Sequence, residues 1–496
     1  MIGNRFGQLR AVQHILFITS RANPPRIHPE ASPGDHKGSP EKMPVSAIDS
    51  LLFKNLLGTE NIRAIFDDKA FIQRCVDVET ALARAQAEVG IIPKQAASTI
   101  TDSCASIDLD YEQLSRDTEI VGYPIAPLVK QLSTACGEDA GGYVHWGATT
   151  HDIMDTATVL QIHSGLDLVE GQLKKIASTL ETICGTHRHT EMAGRTHLQH
   201  ALPVTFGYKC AVYLSSVQRH VERLEQLKPR CLFVQFGGAA GTLASLGNDT
   251  HIGLKARAAL ARELDLHDPV ITWHAARDGI AETTNFLALV GGTLGKIATD
   301  LIFMSSNEVS EVSEPFVPHR GASSTMPQKR NPISSEVILA ASKILRSNAS
   351  LCMDAMLTDF ERATGPWHLE WVAVPESFVV AVGALAQTDF ALAGLVVNTD
   401  SMKRNLDSTK GLIVAEAVMM ELAQSVGRQR AHDIVYEACK QTIEGSGETM
   451  LLGTLQKQPE VTSVVSVERL RELCEPGNYL GAATRMVDSV LAALAP

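Results

Sequence analysis

A segment near the middle of the chain combines the groups that a mobile catalytic loop needs. Residues 321–332 read GASSTMPQKRNP, with small residues that allow bending and prolines that limit the segment. Such a loop can close over a substrate and exclude water. One of its serines, Ser323 or Ser324, could then exchange a proton with a C–H bond next to a carboxylate. Lys329 and Asn331 could hold the carboxylate oxygens, so the segment predicts proton abstraction or return on a small acid.

A second segment has the groups of an anion site. Residues 145–156 read HWGATTHDIMDT and stand immediately before a long helical pattern. Thr150 or Asp152 could cap that helix. Its free N–H groups, together with the hydroxyls of Thr149 and Thr150, would form an anion site. An ordinary capping turn is the alternative when this segment is taken alone.

A third segment carries histidines. Residues 194–203 read GRTHLQHALP, and His197 is a candidate proton donor because an imidazole changes its charge near neutral pH. We interpret His200 as structural. A lone histidine is usually a satisfied core or surface group, and His145 outside its segment would be interpreted in the same way. The histidines lack the spacing and the carboxylate of a zinc site, so no metal is predicted.

Together, the three segments closely resemble the signatures of the fumarase/aspartase superfamily of lyases. The first is similar to the pattern G-S-S-x-M-P-x-K-x-N-P, with Ala322 as an extra small residue, and the third to G-R-T-H-x-Q-x-A-x-P. Aligned back from Met326, the loop has its catalytic serine at Ser323 and a supporting residue at Ser324. The resemblance also implies that His197 donates a proton or stabilises the leaving group, and that no organic cofactor is needed. The substrate-binding candidates are Thr149, Thr150, Lys329, Asn331, His145, Gln235 and Ser324.

Flanking segments narrow the resemblance within the superfamily. Those that look like 3-carboxy-cis,cis-muconate cycloisomerase are residues 192–197, 234–239, 361–368 and 411–417. This resemblance extends over essentially residues 48–496. Adenylosuccinate lyase is a near relative, but residues 118–123 lack the histidine that its pattern has there. Trans-aconitate decarboxylase shares the Gly-Pro-Trp segment, and His151 stands where the cycloisomerases usually have glutamine.

The resemblance implies a lyase or isomerase that acts on a small unsaturated di- or tricarboxylate. In the cycloisomerase reaction, one substrate carboxylate adds to a double bond and Ser323 delivers the proton at the adjacent carbon. His197 would face the lactone oxygen. The alternatives are a trans-aconitate decarboxylase-like enzyme, an adenylosuccinate lyase-like enzyme and a non-catalytic helical scaffold derived from the superfamily. All three signature segments are intact, which favours an enzyme over a scaffold.

Helical periodicity extends through almost the whole chain from residue 46. Apolar residues step by four and three positions over residues 162–183, 210–224 and 294–304, and such seams must be buried between long helices. No strand pattern competes, so we predict an all-α chain. The glycine-rich run at residues 236–242 lacks the strand and the spacing of a nucleotide loop. We interpret it as a close approach of backbones at a bundle junction.

The superfamily resemblance implies a three-domain arrangement. A small N-terminal helical domain would cover residues 46–150, a central long-helix bundle residues 151–400, and a small C-terminal helical domain residues 401–496. The catalytic loop lies in the bundle region. In that superfamily, four bundles associate and each active site takes residues from three chains, so we predict a homotetramer with shared sites.

Composition limits the partners of the chain. The 496 residues carry a net charge of −12, which leaves no basic footprint for nucleic acid or an anionic membrane. A small polycarboxylate is the expected partner, and it requires a local cationic pocket. The nine cysteines include no C-x-x-C pair, which favours a reducing intracellular compartment. The apolar stretch at residues 378–397 contains Gln387, Thr388 and Asp389, and it therefore predicts a buried helix rather than a membrane span.

Residues 1–45 form an extension before the helical pattern. Residues 1–26 contain four arginines and no acid, and their apolar positions could form one helix face, as in organellar transit peptides. Sequence rich in proline, glycine and serine follows. We predict a cytoplasmic enzyme with a disordered extension outside the fold. A mitochondrial enzyme that uses the extension as a targeting signal is the alternative.

Overall fold

The computed structural model describes residues 46–362, 364–445 and 450–494. These residues are predominantly helical, which confirms the predicted all-α class. The extension predicted over residues 1–45 lies outside them. The N-terminal helices are α1 (Lys54–Leu57), α2 (Glu60–Phe66), α3 (Asp68–Glu88), α4 (Lys94–Cys104), α5 (Tyr111–Val121) and α6 (Ile125–Gly141).

Long helices form the middle of the chain, and shorter helices follow. The middle helices are α7 (Thr150–Thr186), α8 (Phe206–Cys231), α9 (Thr250–Glu263), α10 (Asp278–Met304), α11 (Ile333–Ala355) and α12 (Pro366–Ala393). The C-terminal helices are α13 (Thr399–Asp407), α14 (Ala415–Val426), α15 (Arg428–Glu444), α16 (Leu451–Leu455), α17 (Pro459–Thr462), α18 (Val467–Leu473) and α19 (Ala483–Ala492). Short 3₁₀ turns occur at Ala244–Leu246, Leu412–Val414 and Pro476–Tyr479.

The predicted apolar seams lie in α7, α8 and α10 and form the bundle core. Leu166 and Leu173 of α7 and Leu214 of α8 have 0% exposed surface, and Leu294 of α10 has 1%. α7 packs against α8 and α12, while α10 packs against α8, α11 and α12. Full burial of one such side chain stabilises a fold by about 1.5–3 kcal/mol, so the seams hold these five helices together.

The helices α7, α10 and α12 begin at the same end of this bundle. Asp155, in the second turn of α7, accepts hydrogen bonds from Arg277 just before α10 and from Trp367 in the first turn of α12. The helices α8 and α11 run in the opposite direction, because Arg230 at the end of α8 pairs with the second turn of α10, and α11 ends beside the start of α10. We call the end at which α7 begins the Thr149 end, and the opposite end the hairpin end.

The expectation that no strand pattern competes with the helical periodicity was wrong for four short segments. The strands are β1 (Glu191–Thr196), β2 (Gln199–Thr205), β3 (Val312–Ser313) and β4 (Val396–Val397). β1 and β2 form an antiparallel hairpin between α7 and α8, and β3 pairs with β4. The hairpin turns at His197 and Leu198, which both have positive φ, at 52° and 61°. A register shift around Gly194 and a proline at position 203 obscured the alternation in the sequence.

The C-terminal helices enclose a second, smaller hydrophobic cluster. Its buried members include Val418, Leu422, Val435 and Leu455. Helix α13 packs on β1, so this part of the chain also supports the hairpin. The domain boundaries near residues 150 and 400 stay a prediction.

Two bundle helices, α10 and α12, are long and apolar enough by length and composition to cross a membrane. The most apolar window of α10 is 50% buried inside the chain, and that of α12 is 67% buried. Helices in a protein core pass the same test, so this finding is weak evidence for a span.

Candidate active site

The first turn of α7 is organised by the residue that caps it, Thr149. Its backbone N–H donates to Asp152 Oδ2 at 3.0 Å, and the two residues form a capping box. The cap is therefore Thr149 and not Thr150 or Asp152, the residues we predicted, because Thr149 has the extended backbone (φ −132°, ψ 162°) that an N-cap requires. The positive end of the helix dipole favours an anion here.

A guanidinium adds charge to this helix end. Arg362, in the segment before α12, donates from an NH1 nitrogen to Thr149 Oγ1 at 2.5 Å. Among the described residues, Arg362 forms no ion pair. The Thr149 hydroxyl, the start of α7 and Arg362 thus form a cationic corner that suits a carboxylate.

Asp152 joins the start of α7 to the glycine-rich run. Its buried carboxylate accepts the N–H groups of Gly237 and Gly238, each at 2.9 Å, and lies 2.7 Å from His274 Nε2. A Cβ atom at Gly237 would lie 2.5 Å from a methyl carbon of Thr272. Glycine is therefore needed here because the two backbones approach closely.

A buried ion network lies below the first turns of α7, α10 and α12. Arg277 donates to both oxygens of Asp155, at 2.7 and 2.9 Å, and to Glu370 at 2.9 Å. Burial opposes the charge of Asp155, but Arg277 outweighs it and lowers the pKa of this carboxyl. Burial raises the pKa of Glu370, and Arg277 offsets only part of that effect. Asp155 is therefore the firmly ionised partner, and the network fixes the three helix starts relative to one another.

Gln235 supports this network from the glycine-rich segment. Its side chain is fully buried, and its Oε1 accepts the backbone N–H of Trp273 at 3.2 Å. Its backbone N–H donates to Thr156 Oγ1 at 2.9 Å. The structure thus places Gln235 next to the cationic corner as a packed residue, and its contact with substrate stays a prediction.

His151 stacks on Trp367 beside the corner. The two ring centroids lie 3.5 Å apart with the planes inclined by 21°, and the His151 residue is 5% exposed. Burial lowers the pKa of His151 to about 4, so the ring is neutral at physiological pH. Its Nε2 atom is buried and has no hydrogen-bond partner among the described residues.

His145 lies in the turn that leads into α7. Its backbone has φ 61°, and its Nδ1 atom lies 2.6 Å from Oε1 of Glu79 in α3. Burial opposes protonation of the ring, but the Glu79 carboxylate outweighs it and raises the pKa of His145 above its usual range. Glu79 therefore favours the protonated form of His145 close to the start of α7.

The hairpin end carries the predicted proton donor. His197 is exposed at the turn between β1 and β2. Below it, Arg195 binds both carboxylate oxygens of Glu311, at 2.6 and 3.0 Å, and Glu311 has no exposed side-chain surface. Asn405 in α13 donates to the same carboxylate at 2.9 Å. These contacts fix the hairpin to the segment that precedes the serine loop.

The serine loop lies at the hairpin end as well, between β3 and α11. Ser323 Oγ accepts the backbone N–H groups of Thr325 at 3.3 Å and of Met326 at 3.1 Å. The neck of the loop is closed by a hydrogen bond from Asn331 N–H to the carbonyl oxygen of Gly321 at 3.0 Å. Two predicted members of the site, Ser324 and Lys329, are exposed on the loop.

The predicted site residues thus form two separate groups in one chain. Helix α7 has 37 residues and spans roughly 55 Å at 1.5 Å per residue. The group at the Thr149 end is Thr149, Thr150, His145 and Gln235. The group at the hairpin end is His197, Ser323, Ser324, Lys329 and Asn331. A single chain therefore does not bring the predicted proton-transfer residues, His197 and Ser323, to the predicted anion site at the start of α7.

Sequence reasoning missed several residues that build the Thr149 end. Arg362 and Trp367 lie in the segment 361–368 that resembled the superfamily, but the resemblance gave neither a role. Arg277 and Glu79 have no motif around them, because their partners are distant in sequence.

Comparison with known proteins agrees with this architecture. The family described as Lyase matches residues 54–345, and the family described as the adenylosuccinate lyase C-terminus matches residues 411–490. Trans-aconitate decarboxylase 1 of Mycosarcoma maydis is 45% identical over 88% of this chain and 88% of its own. The 3-carboxy-cis,cis-muconate cycloisomerase of Acinetobacter baylyi is 40% identical over 89% of this chain and 98% of its own. The crystal structure of a fumarate lyase from Mesorhizobium sp. BNC1 is 54% identical, with a TM-score of 0.82 over 88% of this chain and 98% of that chain.

These matches extend along the bundle and the C-terminal helices alike. The chain belongs to the fumarase/aspartase superfamily of lyases and is an enzyme of that class. Its relatives include carboxymuconate cycloisomerases, which supports lyase or cycloisomerase activity.

Proposed function

We propose that this enzyme is a 3-carboxy-cis,cis-muconate cycloisomerase that transfers a proton through Ser323. The observation that carries the proposal is the cationic corner at the Thr149 end. There, the Thr149 hydroxyl, the free N-terminus of α7 and an Arg362 without an acidic partner among the described residues converge on one place. A substrate with several carboxylates suits such a corner.

In the proposed reaction, one substrate carboxylate oxygen adds to a carbon of the double bond. A C–O bond forms, and the π electrons move toward the neighbouring carboxylate as an aci-carboxylate. Thr149, Thr150 and Arg362 stabilise this charge together with Lys329 and Asn331. The Ser323 hydroxyl then gives its proton to the carbon, and the resulting alkoxide regains a proton from His197 or water.

The loop geometry supports Ser323 as the proton carrier. A serine alkoxide is costly in water, but the N–H groups of Thr325 and Met326 already point at Ser323 Oγ. These donors would stabilise a negative charge on that oxygen as it develops. In the reverse direction, Ser323 removes the proton next to the carboxylate and the lactone C–O bond breaks.

We also propose that the working enzyme is a homotetramer with composite sites. The two groups of site residues lie at opposite ends of helices that span roughly 55 Å, so a second chain must supply the serine loop or the hairpin. Antiparallel association of bundles would bring the hairpin end of one chain to the Thr149 end of another.

A second candidate is a trans-aconitate decarboxylase. It is favoured by the identity to the Mycosarcoma maydis enzyme, 45% against 40% for the Acinetobacter baylyi cycloisomerase. In that reaction a C–C bond breaks, CO₂ leaves, and the electron pair left on carbon takes a proton. The same serine loop and cationic corner would serve both reactions.

A substrate panel tests the proposal. The pure protein is incubated with carboxymuconate, its lactone, cis- and trans-aconitate, fumarate and adenylosuccinate, and ultraviolet absorbance and evolved CO₂ are followed. Loss of carboxymuconate absorbance without CO₂ is the expected result. CO₂ from an aconitate would replace the proposal with the second candidate, and inactivity on the whole panel would contradict both.

A further inference from the structure

A pair formed by a buried acid and a partly exposed histidine lies beside the start of α7. Glu79 sits in the middle of α3, and its side chain has no exposed surface. One of its oxygens, Oε1, binds His145 Nδ1 at 2.6 Å, while the other, Oε2, is buried without a hydrogen-bond partner among the described residues. Burial of a carboxylate with an unpaired oxygen is costly, so a stability argument does not account for this acid.

The backbone around His145 is also held in an uncommon conformation. His145 has φ 61°, a left-handed conformation that disfavours side chains with a Cβ atom. The turn is fixed from outside: Gln86 Nε2 donates to the carbonyl oxygen of Trp146 at 2.6 Å, and Ser245 Oγ donates to that of Gly147 at 3.1 Å. The surroundings thus impose the strain, and strain of this kind persists at functional sites.

We propose that Glu79 is a positioning residue that holds His145 as an imidazolium, so that the α7 anion site receives a second fixed cation besides Arg362. The turn continues directly into the helix, because the Ala148 N–H donates to the His145 carbonyl oxygen at 3.2 Å. The His145 side chain is 21% exposed, and its Nε2 atom has no hydrogen-bond partner among the described residues. One ring nitrogen is thus held by Glu79 and the other can donate to a substrate carboxylate.

The charges around His145 give the direction of its pH dependence. Glu79 from α3 and Asp152 from α7 both favour the protonated ring, while burial opposes it. Without Glu79, burial dominates and the ring becomes neutral at a lower pH. Carboxylate affinity therefore depends most on Glu79 at the higher pH, where Glu79 favours the protonated ring, and this dependence declines as the pH falls and protonation no longer needs Glu79.

Binding of tricarballylate, a saturated tricarboxylate that cannot react, tests this inference by calorimetry on the full chain. Glu79→Gln should weaken binding at pH 7.5 by roughly tenfold, the worth of one charge-assisted hydrogen bond. The difference from the wild type should become smaller as the pH is lowered to 5. Glu88→Gln is the matched control, since Glu88 lies on the same helix and its salt bridge among the described residues is with Arg262 at the surface.

A double variant shows whether Glu79 affects binding through His145 or independently of it. If Glu79 acts through His145, the double variant that carries both Glu79→Gln and His145→Gln should bind tricarballylate no more weakly than the single variant His145→Gln. Additive losses would overturn the inference, as would wild-type affinity in Glu79→Gln at pH 7.5. Should Glu79→Gln fail to fold, the ratio of the wild-type affinity to the His145→Gln affinity at the same pH, from which the titration of the ligand cancels, should still fall with rising pH.

The inference rests on the proposed carboxylate site but not on the reaction proposed for it. Failure of every panel substrate together with pH-linked tricarballylate binding would reject the reaction and retain the role of Glu79. Absence of tricarballylate binding to the wild type at both pH values would overturn the role of Glu79, whatever the panel shows.

Discussion

Replacement of Ser323 by alanine should stop proton transfer and leave the fold intact. The hydroxyl oxygen is the only part of the side chain that accepts the Thr325 and Met326 N–H groups, at 3.3 and 3.1 Å. Its loss removes both the proton carrier and the atom toward which those donors point. A positioned acid or base contributes about 10²–10⁴-fold, or roughly 3–5 kcal/mol of barrier, so turnover should fall by that factor.

The substrate affinity and the stability should change little in this variant. The loop residues Ser324, Thr325 and Met326 are exposed, so the N–H groups released by Ser323→Ala can bind water. Substitutions at such positions usually alter the free energy of unfolding by less than about 0.5 kcal/mol. Lys329 and Arg362, the cations that we propose bind the substrate, are untouched, so KM should stay close to that of the wild type.

Steady-state kinetics on the substrate found in the panel, with a thermal melt of each variant, checks these expectations. Ser324→Ala is the matched control, because Ser324 is the neighbouring serine and accepts neither of the N–H groups that Ser323 holds. An inactive Ser324→Ala with an active Ser323→Ala would show that the assignment is off by one residue. Full activity in both variants would refute serine-mediated proton transfer and move the role to His197 or another base.

Three further predictions address other parts of the chain. The pKa of His151 is lowered from 6.5 to about 4, so between these pH values the unfolded chain binds more protons than the folded chain. The free energy of unfolding should therefore fall as the pH is lowered through this window, by roughly 3 kcal/mol from this residue. Urea unfolding of His151→Gln between pH 7 and pH 4.5 should show a smaller loss, although His220, with a pKa also lowered to about 4, keeps part of it. Mixing inactive Ser323→Ala chains with inactive His197→Ala chains should restore part of the activity, and a fully active monomer in sedimentation would contradict composite sites. Deletion of residues 1–45 should leave turnover and melting temperature nearly unchanged, and a fluorescent reporter fused to them should stay cytosolic, whereas import into mitochondria would support the targeting alternative.

The sequence predicted the bundle because its information is local and repeated. The seam through Leu166 and Leu173 recurs every three or four residues, and its positions from Ile162 to Leu180 are buried in the structure. The hairpin was missed because its strands are short and their alternation is broken at Gly194 and Pro203. A strand pattern needs several uninterrupted alternations before it can be distinguished from a loop.

The cationic corner at the Thr149 end could be predicted only in part, because some of its residues are distant in sequence. The hydroxyls of Thr149 and Thr150, which we predict to bind an anion, adjoin a helix start, and a helix start has local signals in the sequence. The charges that complete the corner come from elsewhere: Arg362 lies 213 residues from Thr149, and Glu79 lies 66 residues from His145. Nothing in the periodicity of α3 distinguishes Glu79 from a solvated acid, because pairing over such separations is set by tertiary packing.

The positive charges that a polycarboxylate substrate needs, and the distance between them in one chain, both favour the proposed association of chains. The chain has a net charge of −12, and at the Thr149 end Arg277 is neutralised by Asp155 and Glu370. Lys329 and Arg362 form no ion pair among the described residues, yet they lie at opposite ends of the bundle. A substrate with two or three carboxylates needs cations on more than one side, and the long seamed helices hold these two apart within a chain. Association of chains is therefore the step that would create the full carboxylate site that we propose, and the length of the helices is the reason why the proposed catalysis requires assembly.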